Sequence, residues 1–264
     1  MTKTTPLYWV NLAARADRRA HMEAQLASLG MEHRRVEAYG PADVLAAGGR
    51  IRLQGGERRT ASELACLCSH LEAVRRAWFD ARAGDKTATT PGWGLVAEDD
   101  LVLRRSYDYA RVASGAPEGA ELLQLSVMHS RALDASWTPD VRSLWRAWIP
   151  WHYGAQLYMV RLDLVEERLR LLGLDPELPV HEQAAGVLDL RAVSGSVPVA
   201  DDLLFRLFRT YNTRVPLSSG DVGLGSDIHE DQLAEHVGFW GLIDGYTSRP
   251  NVAAILDGLE VAKP

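Results

Sequence analysis

Three consecutive carboxylates, Glu98, Asp99 and Asp100, stand between two apolar runs, Leu95-Val96-Ala97 and Leu101-Val102-Leu103. Adjacent carboxylates repel one another, and clamping them between buried segments is costly. A divalent cation or a set of strong hydrogen-bond donors relieves that cost. Open α/β sheets also place their ligands outside the carboxyl ends of the strands, where these acids would sit. An exposed acidic turn between two strands would show the same spacing. A second acidic pair, Asp201-Asp202, precedes a helical pattern. Acids there either complement the helix dipole and cap the first turn or act as a general base.

Other chemistry-bearing residues are scattered. Cys66 and Cys68 lie two apart on a helical stretch and point to different faces, so they do not suit a disulfide. A Cys-x-Cys metal site lacks its second pair. His70 falls on the polar side of the same helix, beside Ser69. It reads either as a hydrogen-bonding group near a ligand or as a satisfied structural histidine. Trp137, Trp145, Trp148 and Trp151 put half of the eight tryptophans into fifteen residues. They read as filling for a core flank or as a platform for an apolar sugar face.

The elements that must position these residues alternate along the chain. Leu7 to Val10 reads as a buried strand. Arg15 to Leu29 is a helix with Met22, Leu26 and Leu29 on one face and Gly30 as its stop. Glu32 to Ala38 is a second strand. Thr60 or Ser62 caps a helix carrying the stripe Leu64, Leu67, Leu71, Val74 and Trp78. The acid-tipped strand follows, and then strands at Glu121 to Ser126 and Gly154 to Val160. Asp163 caps a helix to about Leu172, closed by Gly173. A short strand, Val197 to Ala200, leads to a helix from Leu203 to about Thr210, and Thr213 to Leu217 is the last strand. Ser218 to Asp227 forms a glycine-rich loop. A loosely packed tail carries a helix after Pro250. This alternation favours an α/β sandwich with a mostly parallel central sheet. No strong linker divides residues 1–264, which predicts a single domain with its core at 7–230 and a C-terminal segment at 231–264.

Of the 264 residues, 47% are hydrophobic and 24% charged, an ordinary globular balance. The net charge of -6 argues against a protein that grips nucleic acid through phosphates. No stretch approaches the roughly 18–20 apolar residues that span a bilayer. The apolar run Leu7 to Val10 is too short for a signal-peptide core. With two unsuited cysteines, these features predict a reduced, cytoplasmic location, compatible with peripheral attachment to the inner face of a membrane.

Several of these stretches together resemble glycosyltransferase family 25, the lipooligosaccharide and collagen β-galactosyltransferases. Val10-Asn-Leu12 with Asp17-Arg18-Arg19 is similar to the family's "INL" and "DRR". Glu63 to His70, Glu-Leu-Ala-Cys-Leu-Cys-Ser-His, is similar to its "GE.GC..SH" helix, with Ala61-Ser62 where the family often has glycine. Glu98-Asp99-Asp100 matches "EDD", and Gly154 to Val160 resembles "GT.AY.I". Asp201-Asp202 stands at "P.D..L" and Ser226-Asp227-Ile228 at "SDI". The tryptophan-rich stretch has no counterpart.

The resemblance implies the GT-A fold of nucleotide-diphospho-sugar transferases, a Rossmann-like sheet flanked by helices with an added small sheet. It implies a metal-dependent, inverting transfer of a hexose, galactose or glucose, from a UDP-sugar to a hydroxyl of a lipooligosaccharide or other glycan. Mn²⁺ or Mg²⁺ would take up the charge of the leaving diphosphate. Carried over, Asp100 and then Glu98 would ligate the metal, with Asp227 or His229 arriving from a late loop. Asn11, Leu12 and Arg15 would face the nucleotide, with Arg18 either on a phosphate or paired to Asp17 or Glu37. Glu98, Asp99 and His70 would also border the donor, or Asp99 would point into the sheet edge and hold the loop. Asp202 or Asp201 would take the acceptor proton. Transfer to a hydroxylated protein side chain or modified base, hydrolysis of sugar nucleotides or glycosides, and a non-catalytic binding role are the competing readings.

Overall fold

The computed structural model describes residues 6–46, 52–54, 60–84, 92–103, 105–126, 133, 144–150, 152–183, 187–189, 191, 193, 195, 197, 199–224 and 233–261. The elements run β1 (Leu7–Asn11), α1 (Ala16–Ser28), β2 (His33–Glu37), α2 (Pro41–Ala46), β3 (Arg52–Gln54), α3 (Ala61–Arg82), β4 (Trp93–Glu98), β5 (Leu101–Val102), α4 (Tyr109–Ser114), β6 (Leu122–Gln124) and β7 (Trp145–Ala147). They continue with β8 (Leu157–Arg161), α5 (Leu162–Leu171), β9 (Val187–Asp189), α6 (Ala200–Leu207), β10 (Thr210–Thr213), β11 (Ser219–Gly220), α7 (Leu233–Thr247) and α8 (Pro250–Leu259).

Seven strands form the central sheet in the order β2-β1-β4-β8-β6-β10-β7. Five run the same way, and β8 and β7 oppose them. The mostly parallel α/β sheet expected from the alternation is therefore present. Two further pairs, β5 with β11 and β3 with β9, lie outside it.

Helices cover both faces, which is why the inner strands read as continuous apolar runs rather than alternating ones. Tyr8, Val10, Val96, Tyr158 and Val160 point to the face covered by α3, α5 and α6. Their neighbours Leu7, Trp9, Leu95, Ala97, Leu157 and Met159 point to the other, where Met22 and Leu26 of α1 pack with α4 and α8. Helix α3 starts at a capping box: Thr60 Oγ1 accepts from the Glu63 amide, and Glu63 accepts from the Thr60 amide. Gly94 sits where α3 and α5 press onto β4. A Cβ there would lie 2.8 Å from Leu162 Cδ2 and 3.1 Å from Ala77 Cβ.

Some boundaries differ from the sequence reading. Among the described residues of the expected strand Val197 to Ala200 none is in a strand, and Ala200 already opens α6, which ends at Leu207 rather than near Thr210. The following strand is correspondingly early, at Thr210–Thr213 rather than Thr213 to Leu217. Pro198 is a breaker inside the expected strand, whereas no glycine or proline punctuates residues 199–213, so local signals do not fix the end of α6 or the start of the next strand. Asp163 is not the cap of α5: the helix follows β8 directly, and Asp163 holds the Arg161 guanidinium from the first turn. The tail is not loose. Tyr246 of α7 and Val252, Ile255, Leu256 and Leu259 of α8 join the second core. Trp145 lies in edge strand β7, and Trp148 packs edge-on against Phe205, while Trp137 and Trp151 lie outside the described residues. Among the described residues no helix is long and apolar enough to cross a membrane.

Candidate functional site

Strand β4 carries the acids as expected: Glu98 ends it, Asp99 and Asp100 make the turn, and β5 begins at Leu101. The three side chains part company. Asp99 turns inward. Its Oδ1 accepts from Arg18 Nη1 at 2.8 Å and its Oδ2 from Asn11 Nδ2 at 2.7 Å. Burial pushes the Asp99 carboxyl up, against the pull of Arg18 and Asn11. Arg18 thus pairs with Asp99, and neither Asp17 nor Glu37 is its partner in this contact. Asn11 is held in turn by Arg35, whose Nε donates to Asn11 Oδ1 at 2.8 Å. Arg15 donates to Asp17 and to the Leu224 carbonyl, tying the start of α1 to the turn Val222–Leu224. Leu12 is half-buried, and its carbonyl accepts from the Arg15 amide.

Asp100 faces elsewhere. Its Oδ1 is buried with no hydrogen-bond partner among the described residues. Burial first, and then the charge of Glu98, push its carboxyl up to about 8, with Asp99 adding to the rise and Arg18 opposing it. Asp201, in the first turn of α6, accepts from the Gly154 amide at 3.2 Å. Burial raises its carboxyl too. The Gly154 hydrogen bond lowers it, and the charges of Glu98 and Asp202 raise it further. The charge of Glu98 therefore acts on both Asp100 and Asp201, which lie 101 residues apart in sequence.

Asp202 is differently placed. Its Oδ2 accepts from the Val197 amide at 2.6 Å, and both oxygens accept from Arg206 Nε at 2.9 Å. These contacts fasten the start of α6. His70 is fully buried rather than on a polar face, because α3 packs against β4 as well as along its apolar stripe. Its Nε2 lies 3.1 Å from Glu98 Oε1 and its Nδ1 3.1 Å from Tyr158 Oη. Cys66, one turn earlier on α3, completes a group with His70 and Glu98 whose candidate ligand atoms all lie within 4.8 Å of one another. Burial, followed by the charges of Glu98, Asp201, Cys68 and Asp100, drives the Cys66 thiol well above its ordinary value. The i, i+4 spacing of Cys66 and His70 on one helix is the sequence signal for this group. Asp227 and His229 lie outside the described residues.

The acids fit a divalent cation of the Mg²⁺ or Mn²⁺ type. Such ions take carboxylate oxygens, and Asp100 offers a buried oxygen that nothing among the described residues satisfies. A dication would also reverse the repulsion that now raises Asp100 and Asp201. A separate cleft of about 660 Å³ runs along the edge strand β2, lined in part by Arg34, Arg35, Tyr39, Arg76 and His181. Arg35 links it to Asn11, and Asn11 links it to Asp99. No family model matches the sequence, and no curated protein matches it.

Proposed function

We propose that this protein is a metal-dependent, inverting hexosyltransferase of GT-A type that moves galactose or glucose from a UDP-sugar to a hydroxyl of a lipooligosaccharide or related glycan. The observation that carries the reading is that Glu98, at the end of a central strand, raises the carboxyls of both Asp100 and Asp201, while Asp100 Oδ1 is buried with no hydrogen-bond partner among the described residues.

Asp100 and Glu98 would hold Mn²⁺ or Mg²⁺, which supplies charge neutralisation for the departing diphosphate. Arg35 and the cleft beside β2 would border the nucleotide, with the buried Asn11 holding Arg35 from behind, and Arg18 and Asp99 hold the acid-bearing turn. Asp201 suits the general base better than Asp202. Asp202 has both oxygens engaged, whereas Asp201 makes one bond to Gly154 and sits in the field of Glu98. In the reaction the acceptor oxygen bonds to the anomeric carbon, the bond from that carbon to the diphosphate oxygen breaks, and the acceptor proton passes to Asp201.

A panel of nucleotide sugars with Mn²⁺, scored by release of free nucleoside diphosphate, tests the reading. The expected result is turnover of a UDP-hexose that stops with chelator and falls by about 10²-fold or more in Asp201→Asn, with donor binding retained. Full activity in chelator, or no turnover of any donor with a broad acceptor mixture, overturns it. Donor turnover equally fast without an acceptor would point to a hydrolase instead.

A further inference from the structure

Helix α3 presents Cys66 and His70 one turn apart, so the two side chains share a face. Strand β4 ends against that face with Glu98. The candidate ligand atoms of these three residues lie within 4.8 Å of one another. Between His70 Nε2 and Glu98 Oε1 the separation is 3.1 Å. That is close to the edge, about 3.3 Å, of a tetrahedron built on metal–ligand bonds of about 2.0–2.1 Å. An ion can therefore replace the hydrogen bond between them with little movement.

The imidazole is already oriented for this. Ligating histidines direct their second ring nitrogen to an outer partner, which fixes the ring and its tautomer. Here Nδ1 faces Tyr158 Oη at 3.1 Å, and Tyr158 is fully buried with its ring packed edge-on against Phe205. The supports are a helix and a central strand, which hold geometry better than loops do.

From this geometry we infer that Cys66, His70 and Glu98 form a binding site for a zinc-class transition-metal ion. The donor chemistry sets the class. Thiolate and imidazole favour Zn²⁺ and Co²⁺, whereas Mg²⁺ and Mn²⁺ prefer oxygen alone. Three protein ligands leave a fourth position for water or a substrate atom. On binding, the Cys66 thiol gives up its proton to solvent, and the imidazole binds through Nε2 as the neutral form with its N–H toward Tyr158. The inference does not depend on glycosyl transfer. Because Glu98 belongs to both donor sets, a zinc-class ion would compete with Mn²⁺ at the acidic centre.

The test is a Co²⁺ titration of the untagged, reduced, chelator-treated full chain, followed by absorption. We expect a thiolate-to-cobalt charge-transfer band that saturates at one ion per chain and disappears when Zn²⁺ is added. Cys66→Ser abolishes that band, and Cys68→Ala keeps it, with circular dichroism confirming that both variants are folded. Tyr158→Phe keeps the band but weakens binding by about 10–100-fold, as loss of an outer partner does. Absence of the band in the folded wild-type chain overturns the inference, as does an unchanged band in Cys66→Ser. Neither readout involves a sugar nucleotide, so a failed donor panel and a failed cobalt titration are separate results.

Discussion

Arg18 on α1 and Asp99 in the acidic turn form an ion pair at 2.8 Å in which each side chain is 8% exposed. Of the three adjacent carboxylates, the middle one is thus consumed by structure, and its partner lies 81 residues away in sequence. Asn11 supplies the second donor. The pair anchors the turn to β1 and α1 and leaves Glu98 and Asp100 to face the other side. Removing one partner of such a pair leaves an uncompensated buried charge. Arg18→Met should therefore destabilise the protein by about 3–5 kcal/mol in urea unfolding. The double variant Arg18→Met with Asp99→Leu should lose much less than the sum of the single losses. A single-variant loss below about 1 kcal/mol would mean that the pair behaves as an exposed one.

Asp100 gives a pH dependence of defined sign. Its folded-state carboxyl is raised to about 8 by burial and Glu98, against about 3.9 in an unfolded chain. Between those values the folded protein binds more protons than the unfolded one, so stability falls as pH rises. The contribution is fully present below about pH 4 and lost by about pH 8. Carboxylates with lowered values, such as Glu72 beside Arg75, act in the opposite sense, so the informative quantity is a difference. Thermal midpoints of the chelator-treated chain and of Asp100→Asn should diverge between pH 4 and 8, with the variant increasingly the more stable. Parallel curves would show that Asp100 ionises freely. Mn²⁺ added at pH 8 should raise the midpoint of the wild type and leave that of Asp100→Asn unmoved.

The neighbouring acids of α6 separate by the same kind of measurement. Val199, the residue before α6, makes no side-chain cap, and Asp202 does the fastening through the Val197 amide and Arg206. Asp202→Ala removes hydrogen bonds to a charged group and should destabilise the protein by about 1.5–3 kcal/mol. Asp201→Asn keeps an oxygen for the Gly154 amide and removes repulsion with Glu98. Its unfolding midpoint should be unchanged or higher. Equal losses in the two variants would assign both acids to structure.

The sequence made the apolar strand leading into the acids legible because β4 lies inside a sheet covered on both faces, so its run is unbroken and the acids stand out at its end. The stops at Gly30 and Gly173 were legible because both residues adopt positive φ, 62° and 78°, as helix ends favour. The burial of His70 was not legible. One apolar stripe reveals one packed face, whereas α3 also buries Cys68, Ser69, His70, Glu72 and Arg75. The Arg18–Asp99 pair was hidden for a different reason: many acids are available to a given arginine, and only the fold selects one. The grouping of Cys66 with His70 and Glu98 depends on β4 ending against that face of α3, which the helix spacing alone does not reveal.

Gly94 connects packing to the site, since it belongs to the strand that ends in Glu98. The added Cβ of Gly94→Ala would meet Leu162 Cδ2 at 2.8 Å and Ala77 Cβ at 3.1 Å. Leu162 opens α5, and Ala77 is on α3, so the clash wedges two helices away from the centre of the sheet. Relief requires Leu162 to turn its Cδ2 away within the core, or α3 to shift. Ala77 has no rotamer to change, and Leu162 is 8% exposed within the core. Overpacking of this kind costs about 1–3 kcal/mol. Combining Gly94→Ala with Leu162→Ala should give a smaller loss than the sum of the two single variants, because the truncation vacates the space that the new methyl needs. Urea unfolding of the four proteins in the cycle measures that coupling. A coupling of zero would place the strain elsewhere, and a neutral Gly94→Ala would show that α5 can move off β4 without loss.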